Sequence, residues 1–281
     1  MAATTIRIAL GDYPHTLPLK RGEITSSSLK LDFVEVKPMH MAFKPMVREH
    51  AYDASELALV TFLQAKEHRK GLKLLPAAML ARFQHHTMLH NAERARLTPK
   101  DLADKRIGVR SYSQTTGVWL RGILQNDYGV DFSGVRWLTF EDGHVAEGKD
   151  PPGVERSTKD MTNMLINGEL DAAIYGAAMP DDPRLQSVIP NPEVEAQKWF
   201  AKHKLVPVNH MVVVTDEFAR SDPSAVDALY RLLEAGWKAA GSKSDTPFGK
   251  AANAAGLELL SRYAFQQKLV SRPFTAAELF E

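Results

Sequence analysis

Apolar and polar residues in the first third of the chain alternate in patterns that predict β-strands and α-helices in turn. Strands are expected over residues 5–12, 29–36 and 72–80, and a short helix is expected over 40–53. Residues 54–69 indicate a strand that runs directly into a helix. Such alternation favours a parallel sheet flanked by helices.

A second α/β series begins at residue 98. Its further elements are strands over 106–111, 135–140 and 171–176 and a helix over 157–170. The helix after the first of these strands has Ser113 as its predicted N-cap, one apolar face, and Gly129 as its predicted end. Two α/β series in one chain predict two lobes.

The remaining segments complete the expected order of elements. Residues 140–158 are polar and rich in Gly and Pro, which predicts a loop that either rims a site or is a solvated excursion. Residues 206–214 predict one more strand. Helices follow to the end of the chain, one of them capped by Ser221 or Asp222 with Pro223 in its first turn.

The composition matches an ordinary soluble protein, with 44% hydrophobic and 25% charged residues among 281. Lys and Arg number 35 against 34 Asp and Glu, a formal net charge of +1, so no overall field favours nucleic acid or an anionic membrane. The expected partner is a small molecule. Cysteine is absent, which excludes disulfides, thiolate nucleophiles and Cys-ligated zinc.

The chain enters its first predicted strand within a few residues, without a basic region followed by a long apolar one, so a cytoplasmic location is expected. No apolar run approaches the roughly 18 residues of a membrane span. The sequence contains no Gly-rich phosphate loop, serine nucleophile elbow or zinc-protease helix motif, so the common covalent catalysts are not in view.

Residues 81–91, ARFQHHTMLHN, place basic side chains directly after a predicted buried strand. The guanidinium of Arg82 suits a carboxylate, and histidines exchange protons near neutral pH. Neighbours in an extended segment point to opposite faces, so only one of His85 and His86 is expected in a given pocket, and His85 is favoured. A surface histidine cluster is the alternative. A zinc site needs three or four converging ligands, and because no second set is evident no metal is predicted.

Residues 111–117, SYSQTTG, join a predicted strand to a predicted helix start. Unpaired backbone N–H groups and the positive end of the helix dipole favour an anion there, such as a carboxylate or a phosphate. Ser113 either caps the helix or helps to bind that anion. Arg121 lies two turns further on and either reaches back toward the anion or forms a surface salt bridge.

Three more positions are candidates for chemistry. Residues 11–16, GDYPHT, follow the first predicted strand, and ligands collect at the carboxyl ends of strands in open α/β sheets; the other interpretation is an ordinary polar loop. Glu56 lies among apolar residues and is either desolvated, holding its proton, or capping a turn. His210 opens a strongly apolar strand and needs either a core hydrogen bond or a ligand.

These stretches, in this order, resemble the 4,5-dihydroxyphthalate decarboxylase-like proteins. The similarity covers residues from about 6 to about 215 and is most specific at TTGVWLRG. It is carried by GDYPHTLPLKRGEI, YDASELAL, ARFQHHTML, TPKDLADKRIGVRSYSQTTGVWLRGIL, MLINGELDAAI and VPVNHMVVV.

The resemblance implies the type II periplasmic-binding-protein fold, an α/β fold of two lobes with a ligand cleft between them. Each lobe is expected to be a mixed, mostly parallel sheet flanked by helices. Residues 1–88 and 207–281 are expected to form one discontinuous lobe and 89–206 the other. Hinge strands are expected near 85–92 and 200–212, and hinge motion closes the lobes over the ligand.

The resemblance also implies a decarboxylase that needs no organic cofactor and no metal. A hydroxylated aromatic acid loses carbon dioxide once its ipso carbon is protonated. The implied catalytic residues are His85 or His15 as the acid and His210 or Glu56 as the acceptor of the phenolic proton. The implied substrate-binding residues are Tyr13, Thr16, Arg82, Ser113, Thr115, Thr116, Trp119 and Arg121.

Two other functions remain open from the sequence. One is a solute-binding protein that holds a small aromatic carboxylate without chemistry, since a fold does not settle a function. The other is a ligand-sensing or biosynthetic member of the same fold. Assembly into a homo-oligomer is also left open.

Overall fold

The computed structural model describes residues 3–281, apart from the side chain of Ser242. The strands β1 to β11 are, in chain order, Thr4–Ala9, Leu29–Phe33, Ala54–Ala58, Leu72–Ala81, Met88–Asn91, Arg106–Val109, Arg136–Thr139, Glu155–Arg156, Ala172–Ile174, Leu185–Ser187 and Val208–Thr215. The helices α1 to α10 are Leu17–Lys20, Phe43–Glu49, Leu59–Glu67, Thr115–Asp127, Met161–Asn167, Pro192–His203, Asp216–Ser221, Pro223–Ala240, Lys250–Gln266 and Ala276–Leu279. Short 3₁₀ helices lie at Met39–Ala42, Pro99–Asp101 and Gly241–Lys243.

The strands form two mixed sheets, one in each lobe. The first sheet has the order β2-β1-β3-β11-β4, in which β11 runs antiparallel to both of its neighbours. The second has the order β10-β5-β9-β6-β7-β8, in which β5 runs antiparallel to both of its neighbours and the other pairs are parallel. The predicted fold class, two lobes each built on a mixed sheet flanked by helices, is confirmed, although parallel pairs are the majority only in the second sheet.

Local sequence accounts for several element boundaries. Residues 54–69 form a strand followed at once by a helix, as predicted. Asp222 caps α8 by accepting a hydrogen bond from the backbone N–H of Ala225. The predicted N-cap Ser113 is wrong: α4 begins at Thr115 after Gln114, and the Ser113 hydroxyl lies 3.2 Å from that of Ser111.

The chain crosses between the sheets twice, within residues 82–87 and within residues 188–207. Residues 81–91, which the sequence indicates to be one extended segment, are interrupted at the first crossing. The backbone N–H and the hydroxyl of Thr87 both donate to the carbonyl of Gln84, at 3.0 and 2.7 Å, and close a turn. His85 and His86 therefore lie in a turn, and the alternation of side chains along an extended strand does not describe them.

One contiguous hydrophobic core joins the lobes through α3, α4 and α9. Helix α9, which the sequence assigns to the first lobe, packs on α4 of the second. The ring of Tyr263 on α9 lies over Gly122, where an added Cβ would come within 2.0 Å of Tyr263 Cδ2. Only glycine fits at this contact. Over residues 3–281, no helix combines the length and apolar character of a membrane span.

The loop predicted over 140–158 reaches from the second lobe onto the first. Arg48 of α2 donates to the carbonyls of His144 and Gly143, at 2.7 and 3.0 Å. Val145 is 1% exposed and packs with Val47 and Ala65 of the first lobe. The loop therefore connects the two lobes through hydrogen bonds and apolar contacts.

Candidate active site

A buried carboxylate stands at the carboxyl edge of the first sheet. Glu56 on β3 is 0% exposed. Its Oε1 accepts hydrogen bonds from Tyr13 Oη at 2.7 Å and His210 Nδ1 at 2.6 Å, and its Oε2 accepts one from the backbone N–H of Gly11 at 3.0 Å. These four residues, here called the Glu56 cluster, meet because β1 and β11 flank β3 in the sheet.

The hydrogen bonds decide the charge of Glu56. Burial acts to raise the pKa of the carboxyl, but the hydrogen bond and charge of His210, with the bonds from Tyr13 and Gly11, outweigh it and hold the pKa below its usual value. The interpretation that Glu56 holds a proton is therefore wrong. Burial beside Glu56 raises the pKa of the Tyr13 phenol, so Tyr13 stays protonated and donates.

His210 is the member of the cluster that can exchange a proton with a ligand. Its Nδ1–H is donated to Glu56, which fixes the tautomer and leaves Nε2 without a protein partner among residues 3–281. The side chain is 18% exposed, whereas that of Glu56 is fully covered. The edge of the His210 ring packs on Phe43 with 5.0 Å between ring centroids, which fixes its orientation.

Arg82 lies at the end of β4, where it contacts the second lobe. Its Nη2 lies 3.4 Å from the hydroxyl of Thr116, the second residue of α4. The same hydroxyl accepts a hydrogen bond from Asn209 at 3.2 Å, and Asn209 accepts one from Gln84 at 2.7 Å. The Nε–H of Arg82 is buried and has no acceptor in the described part of the chain.

The start of α4 lies opposite Arg82, on the second lobe. Thr115 accepts a hydrogen bond from the backbone N–H of Val60 on α3 at 3.1 Å. Gln114, the N-cap, makes no side-chain hydrogen bond to the helix, so the first N–H groups of α4 lack a cap. Uncapped N–H groups and the helix dipole favour an anion beside Arg82.

Three basic residues that the sequence did not single out, Arg110, His40 and His144, lie in the neighbourhood of His210. Arg110 directly follows β6, at the carboxyl edge of the second sheet. Burial and then the charge of Arg110 lower the pKa of His40. Burial and then Arg110 lower the pKa of His144 to about 3, and the charge of His210 acts on both histidines in the same direction.

The sequence-predicted residues of the first lobe divide into two groups. Tyr13, Glu56, His210 and Arg82 lie along the carboxyl edge of the first sheet. His15 and Thr16 follow Tyr13 in the same turn and are both buried. Thr16 is 0% exposed and holds the turn by accepting from the N–H of Tyr13 at 2.9 Å. His15 stacks on Tyr13 with 5.3 Å between ring centroids, and its Nδ1 lies 3.1 Å from the hydroxyl of Ser244.

Two predicted binding residues on α4 point away from the cluster. Trp119 is 0% exposed, and its Nε1 donates to the carbonyl of Val208 at 2.8 Å within the core. The Arg121 guanidinium stacks on Tyr112, with 4.0 Å between its carbon and the ring centroid, and its Nε donates to Gln267 at 2.6 Å. Both side chains position α4 and do not contact the Glu56 cluster in the described residues.

His85, the predicted acid, lies in the turn between the sheets. Its ring packs against Trp199 of α6, with 6.2 Å between centroids, and against Phe83. Both ring nitrogens are buried without a partner among the residues described. Burial lowers the pKa of His85 to about 4, although the charges of Glu195 and Asp127 act to raise it. The structure does not bring His85 to the Glu56 cluster.

The depressed pKa of His85 predicts a loss of stability in weak acid. The unfolded chain takes up the proton near pH 6.5 and the folded chain only near 4, so stability falls as the pH drops through this interval. His85→Phe is expected to lose less stability than wild type between pH 7 and 5 in urea denaturation. An equal loss in both proteins would contradict the prediction. Replacing the exposed His68 by Phe is the control.

Within residues 3–281, no group of three or more His, Asp or Glu side chains is arranged to hold a metal ion. The residues described at the site offer proton transfer at His210, ionic binding at Arg82 and Arg110, and backbone donors at the start of α4.

The two sheets and their strand orders define a two-lobed α/β fold of the type II periplasmic-binding-protein kind. The alkanesulfonate-binding protein of Xanthomonas axonopodis pv. citri, solved with bound MOPS, matches 99% of this chain over 98% of its own, at 12% identity and a TM-score of 0.56. The periplasmic aliphatic sulphonate binding protein of Escherichia coli matches 99% of the chain over 82% of its own, at 11% identity and a TM-score of 0.52.

Two curated relatives are named 4,5-dihydroxyphthalate decarboxylase, and the resemblance predicted from the motifs is confirmed. The protein of Comamonas testosteroni is 28% identical over 83% of this chain and 75% of its own length. That of Pseudomonas putida is 28% identical over 71% of this chain and 83% of its own length. No family model matches the chain.

Proposed function

We propose that the chain is a cofactor-independent carboxy-lyase that decarboxylates a hydroxylated aromatic carboxylic acid of the 4,5-dihydroxyphthalate kind. The observation that carries the proposal is the buried Glu56–His210 pair, whose Nε2 is unpartnered at the cleft between the lobes. The two relatives named as decarboxylases support the reaction type.

Arg82 is the first anchor for the substrate. Its guanidinium and the uncapped start of α4 at Thr116 present donors to one carboxylate. Because these two groups belong to different lobes, a bound acid bridges the lobes. Closure then excludes water from the ring.

His210 acts first as a base and then as an acid. Its Nε2 takes the proton of a ring hydroxyl ortho or para to the departing carboxylate, and the imidazolium that forms is stabilised by Glu56. The resulting phenolate donates electron density to the ipso carbon. The same Nε2 then returns the proton to that carbon.

The carbon–carbon bond to the carboxylate breaks in the next step. Its electron pair returns to the ring, aromaticity is restored, carbon dioxide leaves, and the product phenolate takes one proton from solvent. The proton consumed overall is the one that replaces the carboxylate. Glu56 keeps its charge throughout, because Tyr13 and Gly11 continue to donate to it.

The proposal is tested by incubating the protein with 4,5-dihydroxyphthalate, in the presence of a chelator and without any added cofactor. We expect carbon dioxide and 3,4-dihydroxybenzoate in equal amounts, at a rate that the chelator does not change. A rise in melting temperature with the acid recovered unchanged would instead support a solute-binding protein. Neither binding nor turnover would overturn both functions.

A further inference from the structure

A second guanidinium stands on the opposite lobe from Arg82. Arg110 follows β6 as Arg82 follows β4, so each marks the carboxyl edge of one sheet. The backbone carbonyl of Arg110 accepts from the N–H groups of Phe140 and Glu141, at 2.9 and 2.7 Å, which fixes where the side chain starts. Its Nε–H is buried and without an acceptor in the described residues.

The surroundings place Arg110 near His210. The loop that begins beside Arg110 continues to His144, whose ring packs edge-on against Phe43 with 5.6 Å between centroids. Phe43 also packs against His210, at 5.0 Å. The charges of Arg110 and His210 both act on His40 and on His144, so these two histidines lie between the guanidinium of the second lobe and the imidazole of the first.

The charges that face Arg110 are few and mostly basic. Glu141 is 3.7 Å away and is the one carboxylate within 4 Å of the guanidinium in residues 3–281. The side chain of Glu141 is 52% exposed, so the ion pair is screened by water and weak. The other ionisable neighbours are His40 and His144, and Lys44 lies beyond His144. The net charge around Arg110 is therefore positive.

We infer that Arg110 is a specificity-determining residue that binds a second acid group of the substrate, so that the cleft selects aromatic diacids over monoacids. This inference rests on the proposed function. Arg82 holds one acid group from the first lobe and Arg110 holds another from the second. Glu141 is displaced from Arg110 when the diacid binds.

The assignment fits the chemistry of the reaction. The departing carboxylate, held by Arg82, gives up its charge to the ring as the carbon–carbon bond breaks, so that ion pair orients the group and is lost with it. A retained acid group carries its charge from substrate to product unchanged, so a fixed guanidinium can hold it through the reaction without cost. A second acid group therefore adds binding energy that does not slow bond cleavage.

The test uses ligands that cannot react, so that binding is measured apart from turnover. Phthalate has two carboxylates and benzoate has one, and neither has the hydroxyl that decarboxylation requires. Arg110→Met is expected to weaken phthalate binding in calorimetry about 10- to 100-fold, the usual range for a charge-assisted hydrogen-bonded pair, and to change benzoate binding less than about twofold. Glu141→Gln is expected to tighten phthalate binding, because it removes the competing carboxylate.

Arg136→Met is the matched control, because Arg136 is an exposed arginine on β7 of the same lobe. It is expected to leave the affinity for both ligands unchanged. Equal losses for phthalate and benzoate in Arg110→Met, no loss in either, or no phthalate binding by the wild-type protein would each overturn the inference. Selective phthalate binding without turnover of 4,5-dihydroxyphthalate would overturn the proposed function and leave this inference standing.

Discussion

Replacing His210 with asparagine is expected to lower kcat for carbon dioxide release from 4,5-dihydroxyphthalate by about 10²- to 10⁴-fold, the usual contribution of a general acid–base. Asparagine keeps a donor toward Glu56 but has no titratable nitrogen at the position of Nε2. Steady-state kinetics measured by product formation test this. The KM is expected to change little, because the anion-binding groups are Arg82 and the start of α4.

His203 supplies a matched control for that variant. Its Nε2 lies 2.9 Å from the carboxylate of Asp127 and its side chain is 20% exposed, so it too is a partly buried histidine paired with a carboxylate, but it lies on α6. His203→Asn is expected to keep the wild-type kcat. If His210→Asn retained the wild-type kcat as well, the Glu56–His210 pair would have no part in the reaction.

Truncating Trp119 is expected to produce the largest loss of stability. Trp119→Ala should lower the free energy of unfolding by about 3–5 kcal/mol, because it leaves a cavity among α4, α6 and α9 and leaves the carbonyl of Val208 without its donor. The rings of Tyr263 and Trp199 lose their edge-on contacts with the indole, at 5.8 and 6.4 Å. Urea denaturation at pH 7 measures the loss.

Phe200 is the appropriate control, because its aromatic side chain lies on the neighbouring helix α6 and is 39% exposed. Phe200→Ala is expected to lower the free energy of unfolding by about 1 kcal/mol or less, since less apolar surface is lost from the interior. A loss below about 1 kcal/mol in Trp119→Ala would contradict the placement of this indole in the core that joins the lobes.

The sequence was sufficient to select most of the Glu56 cluster. Tyr13 follows a strand, where the rule that ligands collect at the carboxyl ends of strands selects it, and Glu56 and His210 are ionisable residues within apolar strands that need a partner. Their pairing was not predictable, because Tyr13 and His210 stand 43 and 154 positions from Glu56 and meet only through the strand order.

The position of Arg110 could have been selected from the sequence. It directly follows the strand RIGV, and the same carboxyl-end rule that selected Tyr13 applies to it. The hydroxyl-rich segment that follows it, which contains Ser113, instead favoured an anion site at the helix start. In the structure it is the hydroxyl of Thr116, three residues after Ser113, that lies beside the guanidinium of Arg82.

Other positions could not have been assigned from local pattern. The turn at 84–87 is closed by Thr87, and it removes His85 from the face that an extended strand would give it. Trp119 and Arg121 are amphipathic residues whose burial depends on α9, a helix more than 120 positions away in the chain. Tertiary packing, and not the spacing of the residues, determines that these two side chains lie in the core and position α4.

The fold alone does not distinguish an enzyme from a binding protein, since the structural neighbours are named as binding proteins and the relatives as decarboxylases. A binder needs cations and N–H donors for the acid. It has no need for a buried carboxylate that fixes one tautomer of a histidine at the cleft. The Glu56–His210 pair is therefore the feature on which the proposed reaction depends.

Reaction with 4,5-dihydroxyphthalate in heavy water tests that dependence most directly, with the product analysed by mass spectrometry and proton NMR. Protonation of the ipso carbon with the help of His210 predicts 3,4-dihydroxybenzoate with one deuterium at the carbon that lost its carboxylate, formed by the wild-type protein at least about 100-fold faster than by His210→Asn. Recovery of the bound diacid unchanged, or a product without deuterium at that carbon, would contradict the account.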